Sequence, residues 1–139
     1  MEDIRSVLSQ FKKKRDDQLQ KAHTGPSSPA SISEIPDVFF DVVLLKLKLT
    51  RLEIALFMFL YRQVWCRPNL YRSHGIGPLN SYTELSHKIG ISSDELGTLL
   101  RNLENYQLLE TVRSGQYFIR KYFLEELDQQ FGQKYDEFI

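Results

Sequence analysis

Read for the spacing of its apolar positions, this chain breaks into several helix-like stretches and one strand-like stretch. Ile4, Val7, Leu8 and Phe11 recur at i, i+3, i+4 and i+7, so an amphipathic helix is expected over residues 1–23. The eight positions from Ile54 to Tyr61 are all apolar, a pattern a helix tolerates only when it is buried nearly all round. Thr50 and Glu53 precede that run with capping-box spacing, in which hydroxyl and carboxylate each satisfy an orphan amide. Pro68 follows it and disfavours helix in the residue before it. The central helix is therefore expected to begin at Thr50 and end near Trp65 or Cys66, with Phe57, Met58 and Phe59 filling the core. Pro36 to Lys48 is dense in β-branched and aromatic residues and is ambiguous by periodicity. It is either a short helix capped by Asp37 and running through Leu45, the reading we favour, or an extended segment beneath the central helix.

The clearest local pattern runs from Ser81 to Tyr106. Ser81 with Glu84 and Ser92 with Glu95 repeat the capping-box spacing. Gly90 lies between them, where a helix is expected to stop because glycine takes the left-handed backbone at little cost. A short helix, a glycine turn and a longer helix make a helix-turn-helix pattern. On the second helix Leu96, Leu99, Leu100 and Leu103 share one face. Asp94, Gly97, Thr98, Arg101 and Asn105 fall on the opposite one. Leu108 to Val112 and Gln116 to Arg120 then read as two strands, joined by the glycine-containing connection Arg113-Ser114-Gly115. A very short strand is expected at Leu79 and Asn80. Two helices followed by a hairpin predict a winged helix-turn-helix, mainly α with a small β-hairpin, over residues 37–121. The last stretch, 122–139, places Leu124, Leu127, Phe131 and Phe138 at helical spacing. An acidic C-terminal helix is expected there, either packed on the domain or forming a homodimer contact.

Composition changes this picture at three points. Residues 24–36 hold three prolines, four serines and a glycine, so they are expected to be a flexible linker between the first helix and the domain. The lone cysteine, Cys66, rules out an intramolecular disulfide framework and suits a reducing compartment. The N-terminus has no continuous apolar segment of the signal-peptide kind, and no apolar run is long enough to span a bilayer. A cytoplasmic protein with no membrane partner is expected.

Charge bears on partners. The whole chain is formally neutral, which argues against a strongly basic nucleic-acid binder. Between Asp37 and Phe123, however, eleven lysines and arginines face eight acids, a net of +3, and five acids after Leu124 offset it. Arg67 and Arg72 lie in a long polar loop and Lys88 ends the first motif helix. Arg113, Arg120 and Lys121 lie in and beyond the hairpin. These cations, with Ser93, Thr98, Arg101 and Asn105 on the second motif helix, are the candidate DNA-binding set. Arg101 is the one side chain on that outer face suited to a bidentate contact with guanine. Asp94 near phosphates is repulsive, though it and Glu95 are favourable at a helix start without DNA. Catalysis has little to stand on. His23, His74 and His87 are scattered, none is spaced with Cys66 as a metal site, and no phosphate loop or nucleophile motif is present. Neither an enzyme nor a cofactor is expected.

Three stretches in order carry a family resemblance: I-P-D-V-F-F-D-V-V-L, then L-T-R-L-E-I-A-L-F-M-F-L-Y-R-Q-V-W, then Y-T-E-L-S-H-K-I-G-I-S-S-D-E-L-G-T-L-L-R-N-L-E-N-Y-Q-L-L. From about Ile35 to Arg120 the chain resembles the N-terminal winged-helix domain of phage replication protein O and related bacterial replication-initiator domains. The last of these stretches is shared by winged-helix proteins at large. The resemblance implies binding to double-stranded origin DNA with the second motif helix in the major groove. It would put Ser93, Thr98 and Arg101 there and Arg113 in the wing. The chain departs from the family at Asp94 and Glu95, which stand at the start of the second motif helix. Two functions are thus expected in competition. One is sequence-specific double-stranded DNA binding in replication initiation or transcription control. The other is a non-catalytic protein-interaction module that docks a partner through its terminal helices, with Ile4, Leu8 and Phe11 as the docking face.

Overall fold

The computed structural model describes residues 30–137, and in it the longest apolar run is a helix with a complete N-terminal cap. Thr50 Oγ1 accepts from Glu53 N at 3.2 Å, and Glu53 Oε1 accepts from Thr50 N at 2.8 Å. Glu53 is buried in this role. The fold described is that of the unit Glu34–Ile139. The amphipathic helix expected over 1–23, with Ile4, Leu8 and Phe11, lies outside the described residues. Residues 31–36 have no regular secondary structure. The folded unit nonetheless starts a little before Asp37, because Ile35 packs against the core and Cys66 Sγ donates to Glu34 O.

The first helix, α1, is a π-helical turn, Phe39–Val43, continued by an α-helical turn, Leu44–Leu47. Its inner side sends Phe39 and Val43 into the core. The central helix α2, Arg51–Tyr61, runs on through a π-helical turn, Arg62–Cys66. Next come α3, Tyr82–Ile89, and α4, Ser93–Asn105. The hairpin is β1, Glu110–Arg113, paired antiparallel with β2, Gln116–Phe118. A last short helix is α5, Glu125–Gln130. Helices with one small antiparallel sheet make an α+β arrangement.

Between α3 and α4 the chain turns as the glycine pattern requires. Gly90 has φ 79°. Its N–H bonds to His87 O and that of Ile91 to Ser86 O, which closes the helix end with a Schellman motif. The two serine caps are only half of a capping box. Ser81 and Ser92 accept from the Glu84 and Glu95 amides, but both glutamates are exposed and their carboxylates do not return the bond. Leu96, Leu99, Leu100 and Leu103 are buried against Leu56, Phe57, Leu60 and Leu85 of the neighbouring helices. Each such side chain contributes about 1.5–3 kcal/mol of burial. Around Phe123 the core is aromatic: its ring centroid lies 5.0 Å from Phe39 and from Tyr61, and 6.1 Å from Phe57. Phe123 sits at φ 77°, a strained backbone for a bulky residue, in a completely buried position.

Three expectations are corrected. Of the helix expected over 122–139, the described residues form only α5. The left-handed Phe123 and extended Leu124 delay its start, and Phe131 and Gly132 end it. Leu124 and Leu127 are drawn into the core of the same domain, so α5 packs back on it. No strand forms at Leu79 and Asn80. The extended partner of the hairpin comes earlier, where Ile76 bridges Phe118 in antiparallel fashion. Gly97 is not part of the open face of α4, since a Cβ there would lie 3.0 Å from the Tyr82 hydroxyl. It leaves room for the Tyr82 hydroxyl.

Candidate nucleic-acid interface

The outer face of α4 follows from its inner one. With four leucines drawn inward at helical spacing, Ser93, Asp94, Thr98, Arg101 and Asn105 are left exposed. Thr98 Oγ1 donates to Asp94 O at 3.2 Å, so its hydroxyl is tied to its own helix. Arg101 Nε donates weakly to Gly97 O at 3.4 Å. That bond stretches the guanidinium along the helix and leaves its terminal nitrogens without a protein acceptor among the described residues.

The hairpin tip is fastened beside the start of α3. Asn80 N donates to Gly115 O at 2.7 Å, and Asn80 Nδ2 adds a second bond at 3.2 Å. A Cβ on Gly115, at φ 88°, would stand 2.1 Å from Asn80 O, so only glycine permits this approach. Asn80 and Gln63 exchange amide hydrogen bonds at 2.9 and 3.0 Å, tying the tip onward to the end of α2. Gln116, buried, donates to Gly77 O and accepts from Arg113 Nε at 3.0 Å. Arg113 is thereby held at the tip while exposed. The sequence reading missed Asn80, Gln63 and Gln116. Their side chains are uncharged, and nothing in their spacing predicts contacts across so much chain.

The remaining predicted cations do not join this face. Lys88 is exposed and lies over the Phe59 ring at 5.3 Å, with Arg62 also over that ring at 5.6 Å. Strand register places Arg113 opposite Gln116 at the tip and Glu110 opposite Phe118 at the other end. Arg120 and Lys121, which follow Phe118, therefore belong to the base of the hairpin. Arg120 Nη1 pairs with buried Asp128 at 3.2 Å, and its guanidinium stacks 5.2 Å from the Phe118 ring. Lys121 Nζ lies about equally over Trp65, 6.0 Å, and Tyr122, 5.9 Å. Arg72 Nη2 donates to Trp65 O at 2.6 Å and Arg67 O at 3.4 Å. It thus caps carbonyls left open at the end of the central helix. Arg67 Nη1 donates to Cys66 O at 2.9 Å, and its buried Nε has no partner among the described residues. Of the ten predicted residues, Ser93, Thr98, Arg101 and Asn105 share α4, Arg113 stands at the tip and Lys88 on α3. Arg120 and Lys121 lie at the hairpin base, and Arg67 and Arg72 bond carbonyls at the end of the central helix.

Asp128 organises that base. Besides Arg120 it accepts from Tyr122 N at 3.1 Å and from the Tyr135 hydroxyl at 2.5 Å. The Tyr135 phenol is pushed well above its ordinary range, first by burial and then by the bond to Asp128. Burial likewise raises Tyr61, whose hydroxyl donates to Lys121 O. It raises the Cys66 thiol too, against the opposing pull of Arg67, Arg72 and Arg62, so the thiol stays protonated and a poor nucleophile. Behind α4 a cleft of about 170 Å³ is lined by Glu104, Glu110 and Glu125 together with Arg120. The Thr111 hydroxyl donates to the Glu104 carboxylate beside it. Among the described residues no three histidines, cysteines or acids gather as a metal site, and no helix is long and apolar enough to cross a membrane. Compared with protein-family models, curated proteins and solved structures, the chain matches none.

Proposed function

We propose that this chain is a non-catalytic, cytoplasmic winged helix-turn-helix module that binds double-stranded DNA, in replication initiation or transcription control. The observation that carries the reading is the open polar face of α4 beside a hairpin tip that holds Arg113 outward. Helix, Schellman turn, helix and hairpin, with Ile76 as a third extended piece on β2, follow the order of a winged helix. The resemblance to phage replication protein O supports the same reading. On it, α4 lies in the major groove, Arg101 meets a guanine edge through its terminal nitrogens, and Asn105 and Ser93 add hydrogen bonds. Arg113 contacts phosphate from the wing.

The electrostatics set the character of the binding. On α3, α4 and the hairpin, exposed Lys88, Arg101 and Arg113 face exposed Glu84, Asp94, Glu95, Glu104 and Glu110. Few phosphates are neutralised, so affinity rests on base-edge hydrogen bonds more than on counterion release. With Arg113 as the one phosphate contact assigned, the logarithmic salt slope should be about −1. Arg101→Ala should cost about 1–3 kcal/mol on the preferred site and little on other sequences. Anisotropy titrations of duplex libraries over a salt series measure both. No salt-sensitive duplex binding near about 50 mM salt would refute this function.

One observation favours the protein-interaction module as a second reading. The outer side of α1 exposes Phe40, Val42 and Leu45, Leu45 at 73%, an apolar patch of the kind that partner proteins cover. A chain that leaves duplex DNA unbound yet loses a partner when Phe40 and Leu45 become serine would support it.

A further inference from the structure

The outer side of α1 has an order of its own. Phe39 and Val43 turn into the core, and the π-helical turn between them leaves three consecutive residues, Phe40, Asp41 and Val42, exposed. Leu45 and Lys46 are exposed further along the helix. The helix dipole accounts for an acid in the first turn and a lysine in the last. It does not account for Phe40, Val42 and Leu45 beside them. Single exposed apolar residues are ordinary, but three on one short helix make a patch that marks an interaction surface.

The sequence of this helix is also two-fold about its middle. Counted outward from the peptide bond between Val43 and Leu44, Val42 answers Leu45, Asp41 answers Lys46 and Phe40 answers Leu47. Apolar positions match apolar ones, and the one acid matches the one base. A second copy of α1 laid antiparallel across the first, on an axis through that midpoint, sets Val42 against Leu45 and Asp41 against Lys46, each contact occurring twice. A parallel pair would set Asp41 on Asp41 and Lys46 on Lys46, so the charges select the antiparallel one. The Asp41 carboxylate has no partner among the described residues. Lys46 Nζ lies 3.4 Å from Glu126, but those side chains are 57% and 71% exposed, and such a pair is weak. An ammonium has three donors, so Lys46 can bond a second carboxylate without giving up the first.

We propose that this chain self-associates as a two-fold dimer in which α1 packs antiparallel on α1 of a second copy. Phe40, Val42 and Leu45 form its apolar centre, and the Asp41–Lys46 pairs fix direction and register. An interface centred on one short helix lies at the small end of protein contacts, so the dimer dissociates at about 10–100 μM. Self-association needs no DNA and no other protein, so the dimer stands apart from both functional readings above.

The test is sedimentation equilibrium of the full chain. From about 5 μM to about 500 μM the mass should rise from 16.4 kDa toward twice that value. Asp41→Lys and Lys46→Glu each oppose like charges at both contacts, and each should weaken the dimer about tenfold or more. An equimolar mixture of the two variants should restore it, because the doubly basic helix of one then meets the doubly acidic helix of the other. Leu45→Glu, at a position with little packing to lose, should abolish it. A chain that stays monomeric over the whole range, whatever else covers the patch, overturns the proposal. So does a dimer that survives Leu45→Glu, which puts the contact on another face, or a mixture that associates no better than the single variants. Unchanged melting by circular dichroism shows that each loss lies in association. If a charge variant is unfolded, the unmodified chain and Leu45→Glu decide between them.

Discussion

Two regions of this molecule carry arginines that look alike in the sequence and behave differently in the fold. On the outer face of α4, Arg101 is exposed and spends one nitrogen on a long bond to its own helix. At the hairpin base, Arg120 is mostly covered, paired with buried Asp128 and stacked on Phe118, while Arg72 caps the central helix. The first arrangement leaves donors for a ligand, and the second uses them to close the fold. A lysine or arginine is thus a candidate for phosphate only after the carbonyls and carboxylates within its reach have been counted. Here that count finds Arg67, Arg72 and Arg120 bonded within the fold and leaves the binding reading on α4 and the tip.

The sharpest way to break this comparison is at Asp128. Asp128→Ala leaves the Arg120 guanidinium, the Tyr122 amide and the Tyr135 hydroxyl without their acceptor. It should cost about 3–5 kcal/mol in urea unfolding, as losing one partner of a buried pair does. A loss as small as that at a surface site would mean the base is not a closed network.

A second effect comes from pH. Tyr135 and Tyr61 hold their protons more tightly when folded than when unfolded. As pH rises past about 10 the unfolded chain releases these protons first. Proton loss then favours unfolding, so the stabilisation is full below that pH and falls above it. Urea midpoints measured upward from about pH 9 should decline, and Tyr135→Phe should decline less steeply. Unchanged midpoints would place both phenols in water.

The smallest stability effect belongs to the open face. Arg101→Ala should alter stability by no more than about 0.5 kcal/mol, since a surface side chain with one weak bond leaves nothing buried behind. A larger loss would mean that Arg101, like Arg120, serves the fold.

Much of the local structure was readable beforehand because it depends on short-range chemistry. Thr50 with Glu53 began a helix, Gly90 ended one, and the leucines of α4 turned inward, each for reasons contained within a turn or two of chain. The Arg113-Ser114-Gly115 connection signalled the hairpin in the same way. What could not be read was which polar groups meet across long separations. Gln63 reaches Asn80, Asn80 reaches Gly115, and Trp65 reaches Ile119. The C-terminal stretch shows the limit most plainly. Its apolar spacing promised one long helix, yet Phe123 is pulled into the aromatic core at a left-handed backbone and Tyr135 is captured by Asp128. Both contacts hold the chain against its local preference. Propensity, capping and amphipathic spacing act among neighbours, so the residue pattern decided where helices start, stop and face. Burial and hydrogen bonding join groups far apart in the chain, so only the folded packing decided which arginines remain open to a ligand.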